Sequence, residues 1–404
     1  MPQHLDPTSL ARAQLEFDRR ATSRFRGLLE HKIERVTASP FAFLRGSAPL
    51  FYSVLAARPD LASGPAGEGW ISGDLHMENF GAYRTDDHSP TSRVVYGLND
   101  FDEAIVAPWR IDVLRLTTSL LLATRGFGID GVSSTGIAFS LLSGYARACA
   151  TGKAHVKTPA AVATLIEQVR TRTRKQLLDA RTETHHGERR FVRGVRYRDI
   201  SRALAKDAAI AFDAYVRSTF GRESAKNKDF RVIDVAQRIA GTGSLGCLRI
   251  AVLTEGKGGV DGAFVFDMKE ENASAAARFG RSTEKNPAAR VIAGAHALLE
   301  HPPRMMGVTR LGKSSMLARR LAPQEDKLDL SRSNASELAE IAALAGTCAG
   351  AAHERGATKA PKKKWSELDC EAMLARAMEL AGIHEASYLA YSRLARAKST
   401  SKTR

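Results

Sequence analysis

The stretch Trp70–Ala104 limits what this chain can fold into more than any other. It reads W-I-S-G-D-L-H-M-E-N-F-G-A-Y, then a polar turn, then R-V-V-Y-G-L-N-D-F-D-E-A. Phe80–Tyr83 has the pattern of a short strand, Thr85–Ser92 is dense in turn formers, and Arg93–Leu98 reads as the return strand of a hairpin. The loop before the hairpin presents Asp74 and, five residues on, Asn79; the return strand delivers Asp100, Asp102 and Glu103 to the same end. Four carboxylates and an amide carry more negative charge than a fold would collect for stability. Such a cluster calls for a cation, and hard oxygen ligands favour Mg²⁺ held together with substrate phosphates. Two solvated acidic turns flanking a surface hairpin would be the plainer outcome, but this spacing is a specific layout.

The second informative stretch is Val232–Asn272. I-D-V-A-Q-R-I-A-G-T-G-S-L-G-C-L-R-I-A-V-L holds a G-x-G-x-x-G at Gly241, Gly243 and Gly246, with Ser244 between the last two. A dinucleotide loop would follow a strand and open a helix. Here Cys247–Leu253 alternates and is rich in β-branched residues, and after T-E-G-K-G-G-V-D-G comes A-F-V-F-D-M-K. The expectation is a glycine loop inside a β-hairpin, followed by a strand that ends in Lys269. That is the layout of a phosphate-covering loop with its phosphate-pairing lysine. Glycines let backbone amides approach phosphates without side chains in the way.

These motifs carry a resemblance. G-D-L-H-x-x-N, a hairpin and then D-F-D is similar to the catalytic and metal loops of the aminoglycoside and choline phosphotransferase branch of the protein-kinase-like fold. The resemblance implies Asp74 as the group that orients or deprotonates an acceptor hydroxyl, and Asn79 and Asp100 as Mg²⁺ ligands, with Asp102 as a further metal or acceptor-positioning candidate. It implies ATP as co-substrate, with Lys269 and the glycines of the 241–246 loop on its phosphates. P-W-R-I-D-V-L-R-L continues the likeness, with Asp112 opening the next helix and bracing the loop. S-P-F-A-F-L-R-G, G-D-L-H-M-E-N-F-G, L-N-D-F-D-E and P-W-R-I-D-V-L-R-L resemble, more closely still, the bacterial family catalogued as domain of unknown function 2252, over most of the chain. Arg45 belongs to that likeness, and would reach a phosphate, brace the catalytic loop or bond backbone carbonyls. His76 is expected to bond within its loop rather than titrate.

In ordinary kinases the glycine loop precedes the catalytic loop; here the order is reversed. The fold class expected is α+β, a two-lobed protein-kinase-like unit spanning 1–404, with rotated (circularly permuted) motif order and a helix-rich larger lobe. Its parts would be a helical lobe over 1–225 that includes the loops at 70–104, a β-rich glycine-loop lobe over 226–325, and C-terminal helices over 326–397. In a rotated chain the helix ending L-A-G-T-C-A-G-A-A-H-E-R-G near His353 packs back against the N-terminal region. Compact domains tolerate this because their termini often lie close together.

Periodicity predicts helices over 7–37 (N-cap at Thr8–Ser9), 49–57, 111–125, 135–150, 203–219, 287–299 and 334–355, the second and third of the long ones paired. Ser39–Gly46 reads as an aromatic-rich turn, 158–190 as a polar helix, and 306–321 as a strand pair around a G-K-S-S turn. Adjacent His185 and His186 on a charged segment read as solvated rather than metal-binding, and Arg189–Arg198 as a basic surface turn or a contact for an acidic substrate. The 287–299 helix has no internal Glu, so the partner of Lys269 is left open.

The 404 residues carry a formal charge of +16. The positive residues are dispersed through helical stretches, and aromatics are only 7%, too few for a base-stacking platform, so dedicated nucleic-acid binding is not expected. The longest apolar run, Leu114–Ala123, is interrupted by Arg115, and no run approaches the roughly 18–20 residues of a membrane helix. The opening M-P-Q-H-L-D-P-T-S lacks the pattern of a signal peptide, and the four cysteines are far apart, so the bacterial cytoplasm is the expected compartment. The function expected is an ATP- and Mg²⁺-dependent phosphotransferase acting on a small-molecule hydroxyl. Alternatives are a nucleotide-binding regulator without transfer activity and a basic nucleic-acid binder.

Overall fold

The computed structural model describes residues 5–25, 27–65, 67–85, 92–151, 156–303, 305–359 and 364–401. The tip of the predicted hairpin turn, 86–91, lies outside the described residues. The chain is α+β, and its largest core joins helices from both ends of the sequence.

Helices Pro7–Thr22, Leu28–Val36, Pro40–Gly46 and Ala48–Ala57 open the chain. The periodicity over 7–37 is thus two helices with a break at 23–27, and the first is capped by Asp6, which accepts from the amides of Thr8 and Ser9 at 3.1 and 3.0 Å. Ser39–Gly46 is a helix rather than a turn. Ser39 caps it and Pro40 takes its first position, where a missing N–H costs nothing. Phe41 and Phe43 are buried under it.

Helices Arg110–Gly126 and Gly131–Thr151 follow the hairpin Phe80–Arg84/Val94–Leu98. The closest neighbour of Gly131–Thr151 is not the preceding helix but Ala335–Arg355, far along the chain. A Cβ on Gly346 would lie 2.0 Å from the Leu141 carbonyl oxygen, so these two backbones touch. Strand Glu68–Ile71 runs between Ile105–Pro108 and Ala357–Lys359, antiparallel to both. Segment 158–190 is two short helices, Ala160–Thr171 and Arg174–Asp179, and a hairpin, Thr182–His185/Glu188–Phe191. The helical reading failed there because His186–Gly187 takes left-handed backbone angles and turns the chain.

A six-stranded antiparallel sheet holds Tyr197–Arg198, Val232–Arg238, Arg249–Thr254, Phe264–Glu270, Ser314–Arg320 and Met306–Leu311, in that spatial order. Strand parity sorts its faces. Ile250, Val252, Phe264, Phe266 and Met268 pack on helix Arg202–Phe220 through Phe212 and Tyr215. Odd positions 265, 267 and 269 point the other way, and this puts Lys269 on the face opposite that helix. Helix Arg202–Phe220, grouped by sequence with the helical part, therefore sits on the sheet. The C-terminal helix is one piece, Glu367–Ser401. Among the described residues no helix is long and apolar enough to cross a membrane.

His384 on that last helix is fully buried, and among the described residues neither ring nitrogen has a hydrogen-bond partner. Burial pushes its imidazole down to about 3, with the Arg115 guanidinium adding to the effect. The folded ring thus refuses a proton that the unfolded ring accepts below its ordinary value of 6.5. Its contribution to stability is constant above pH 6.5 and declines by about 1.4 kcal/mol per pH unit as pH falls from there toward 3. Buried His76, also held well below its ordinary value by burial, acts in the same direction. Urea unfolding at pH 7 and pH 5 should therefore show a smaller loss of stability for His384→Leu than for the parent. An equal loss in both would exclude His384 as a source of acid lability.

Candidate active site

A cleft of about 580 Å³ opens between the 72–79 loop, the 100–103 loop, the N-terminal helices and the glycine loop of the sheet. Asp74, His76, Asn79, Asp100, Asp102, Glu103, residues 241–247, Lys269 and Glu271 all line it, as does Arg45. Residues separated by more than 160 positions are brought together.

The 72–79 loop is held from below. Asp112, fully buried at the start of helix Arg110–Gly126, accepts from the amides of Ser72 and Gly73 at 2.7 and 2.9 Å. His353 Nε2 lies 3.3 Å from the same carboxylate, and the Tyr145 hydroxyl lies 2.9 Å from His353 Nδ1. The Tyr52 hydroxyl donates to the Gly73 carbonyl at 2.5 Å. Asn79 donates from Nδ2 to the Asp74 carbonyl at 2.8 Å; its buried Oδ1 has no hydrogen-bond partner among the described residues. The Nδ1 of His76 accepts from the Glu78 amide at 3.2 Å, a bond within the loop. Arg45 grips Glu78 through both nitrogens at 2.7 and 2.6 Å, so its partner is a carboxylate of this loop rather than backbone carbonyls.

Asp74 pairs with Arg115, whose side chain is completely buried and also donates to the Leu44 carbonyl at 2.8 Å. Burial pushes the Asp74 carboxyl up to about 7; Arg115 opposes this, and Glu103 and Asp100 add to it. Asp100 is raised by burial and by the neighbouring Asp102.

Lys269 pairs with Asp102 and lies 3.3 Å from Glu271. Burial works against both members of the pair, yet each charge outweighs it for the other, so Asp102 is held below the usual range and Lys269 above it. Burial pushes Glu271 up to about 8, with Asp102 adding and Lys269 opposing. The Lys269 partners that sequence left open thus come from the acidic loop and from the residue just past the end of its own strand. Helix Pro287–Leu298 carries no glutamate but Arg290, which donates to the carbonyls of Ala104, Asp102 and Asn272 at 2.5, 2.7 and 3.0 Å. It thereby fixes the acidic loop against the sheet.

The glycine loop spans the turn between strands Val232–Arg238 and Arg249–Thr254. Gly246 has φ 109° and a Cβ there would lie 2.2 Å from the Ala21 carbonyl oxygen. Gly243 is exposed and has room, its nearest neighbour being the Arg45 carbonyl oxygen at 3.5 Å. Ser244 accepts through its carbonyl from the Cys247 amide at 3.1 Å. Glu270 secures the base of the loop by accepting from the Leu248 amide at 2.8 Å and pairing with Arg24 at 2.6 Å.

Sequence reasoning assigns no role to Arg115, Arg290 or Lys327, and leaves Glu271 as one of two glutamates that directly follow Lys269. Arg115 alone left a signal, as a charge inside an otherwise apolar helix. His185 pairs with Glu183 at 3.0 Å on an exposed hairpin away from the cleft. Within the basic 189–198 segment, Arg189 binds Asp179 and Asp261, and Arg193 binds Asp199 and Asp234, so both have structural partners. Among the described residues no group of three or more His, Cys, Asp or Glu could hold a metal alone.

The described residues thus define an α+β protein with a polar cleft built around a Lys–Asp pair and five further acidic side chains, Asp74, Asp100, Glu103, Glu270 and Glu271. The chain belongs to the bacterial family described as uncharacterized protein conserved in bacteria (DUF2252), whose model matches residues 24–394. No curated protein and no solved structure matches it.

Proposed function

We propose that this cleft binds ATP with Mg²⁺ and transfers the terminal phosphate to a hydroxyl of a small molecule, on a kinase-like fold whose motif order is rotated. The observation that carries this reading is the meeting of Lys269 with Asp102 in the cleft that also holds Asp74, Asn79, Asp100 and the glycine loop. The rotation draws support from the other end of the chain. His353 reaches Asp112, and strand Ala357–Lys359 lies beside Glu68–Gly69, so the segment that would lead into the 72–79 loop ends next to it.

Asn79 Oδ1 and the Asp100 carboxylate are hard oxygen donors suited to Mg²⁺, the first a buried acceptor in need of a partner. With phosphate oxygens completing its shell, the ion would neutralise charge on the transferring group. Asp102, engaged with Lys269, orients that lysine toward the phosphates. Asp74 orients the acceptor hydroxyl and takes its proton as the oxygen attacks phosphorus and ADP departs. The Asp74–Arg115 pair favours the second reading, a nucleotide-binding regulator, because a carboxylate tied to a buried guanidinium is less free to accept a proton.

The decisive measurement is heat stabilisation of the purified protein by Mg²⁺ and ATP together, followed by transfer of labelled phosphate to a metabolite pool. Absence of stabilisation at millimolar nucleotide would refute the reading; stabilisation without transfer would favour the regulator. The glycines give a sharper check. Gly243→Ala should leave stability within about 0.5 kcal/mol but weaken nucleotide binding about tenfold by holding phosphate off the loop amides. Gly246→Ala should lower stability by more than about 1 kcal/mol through strain and collision with Ala21. Unchanged nucleotide affinity in Gly243→Ala would remove the loop from the phosphates.

A further inference from the structure

Six cations line the cleft: Arg24, Lys32, Arg45, Lys269, Arg278 and Lys327. Four of them answer to carboxylates of the chain: Arg24 to Glu270 at 2.6 Å, Lys32 to Asp18 at 2.8 Å, Arg45 to Glu78 at 2.6 Å, and Lys269 to Asp102. Among the described residues, the side chains of Arg278 and Lys327 have no hydrogen-bond or ion-pair partner, and both are exposed. The Lys327 charge acts on Asp100 and His76, the first of them a proposed metal ligand. Arg278 needs another explanation.

The turn Ala275–Arg278 is fastened to the 100–103 loop and, through Tyr52, to the Asp74 loop. The Ala275 amide donates to Glu103 Oε2 at 2.6 Å and Ser274 Oγ to the Glu103 carbonyl at 2.8 Å. Phe279 packs on Tyr52 with ring centroids 5.5 Å apart, and Tyr52 bonds Gly73 next to Asp74. Pro49, Tyr52, Ser53 and Ala275 line the same cleft as Asp74 and Arg278. An unpaired guanidinium is therefore carried by an anchored turn on the cleft that Asp74 also lines, whose acidic side chains would otherwise repel any anion.

We infer that the acceptor is itself an anion, a small hydroxylated molecule whose carboxylate or phosphate is gripped by Arg278 while its hydroxyl meets Asp74. This rests on the phosphotransfer reading. A planar fork of donors matches either group through two parallel hydrogen bonds, which a lysine cannot reproduce.

The test titrates inorganic phosphate, and separately acetate, into protein with and without Mg²⁺ and a non-hydrolysable ATP analogue, following binding by calorimetry. The expected result is binding of at least one of these anions to analogue-loaded protein, weakened about tenfold or more in Arg278→Gln and only partly restored in Arg278→Lys. Analogue affinity should be the same in all three proteins, and the two anions show whether phosphate or carboxylate is preferred. If neither anion binds, or binding is equal in Arg278→Gln, the inference is overturned. Failure of the analogue to bind would fall on the phosphotransfer reading, and the anion titration of nucleotide-free protein would still decide the role of Arg278.

Discussion

Asp74→Asn should lower phosphate transfer by about 10²–10⁴-fold, the span usual for a general acid–base group, while leaving nucleotide affinity nearly intact. The amide preserves shape and can still orient a hydroxyl, but it cannot take the proton. It also removes the negative partner of Arg115, a side chain with no solvent exposure. Some loss of stability is therefore expected, and turnover must be compared at a temperature where both proteins are folded. Radiolabelled transfer and calorimetric titration with Mg²⁺ and nucleotide separate the two quantities. A variant that loses binding and turnover in equal measure would contradict the role given to Asp74.

Lys269→Met should cost more in stability and abolish nucleotide binding. The lysine is the counter-charge for Asp102 and stands 3.3 Å from Glu271. Removing one member of a buried ion pair strands the other, at a cost of about 3 kcal/mol here, toward the low end because the Asp102 side chain is about a third exposed. Glu271, pushed up to about 8 and so already largely protonated at pH 7, adds no second stranded charge. Adding Asp102→Asn should recover most of the stability without recovering the affinity, since the phosphate-facing charge is still missing. Urea unfolding reports the first effect and calorimetry the second. Nucleotide affinity close to the parent's in Lys269→Met would take Lys269 off the phosphates.

What the sequence made legible was local in character. Strand alternation located the glycine loop and the strand ending at Lys269, and the Asp74–Asn79 spacing with a hairpin and Asp100 located the acidic loops. Helix periodicity placed Arg202–Phe220, Pro287–Leu298 and Ala335–Arg355 within one or two residues. The errors arose where a single cap or turn overrides composition. Asp6 rather than Thr8–Ser9 starts the first helix, Ser39 with Pro40 starts a helix in an aromatic-rich segment, and His186–Gly187 folds back a stretch of helix-compatible residues. Illegible altogether were charge pairings between distant segments: Arg45 with Glu78, Arg24 with Glu270, Arg290 with the carbonyls of the acidic loop. No period or motif announces these, because each depends on where two separately formed elements come to rest.

Strand Ala357–Lys359 against Glu68–Gly69, with His353 on Asp112, has a consequence for biosynthesis. The ribosome releases residues 68–79 nearly 300 positions before it releases the strand that borders them. Until then strand Glu68–Ile71 has only Ile105–Pro108 beside it, and the nascent chain carries an unfinished sheet edge next to the loop bearing Asp74. The strand layer beneath the Asp74 loop is thus completed only after residue 359 has emerged, well after both acidic loops have been made.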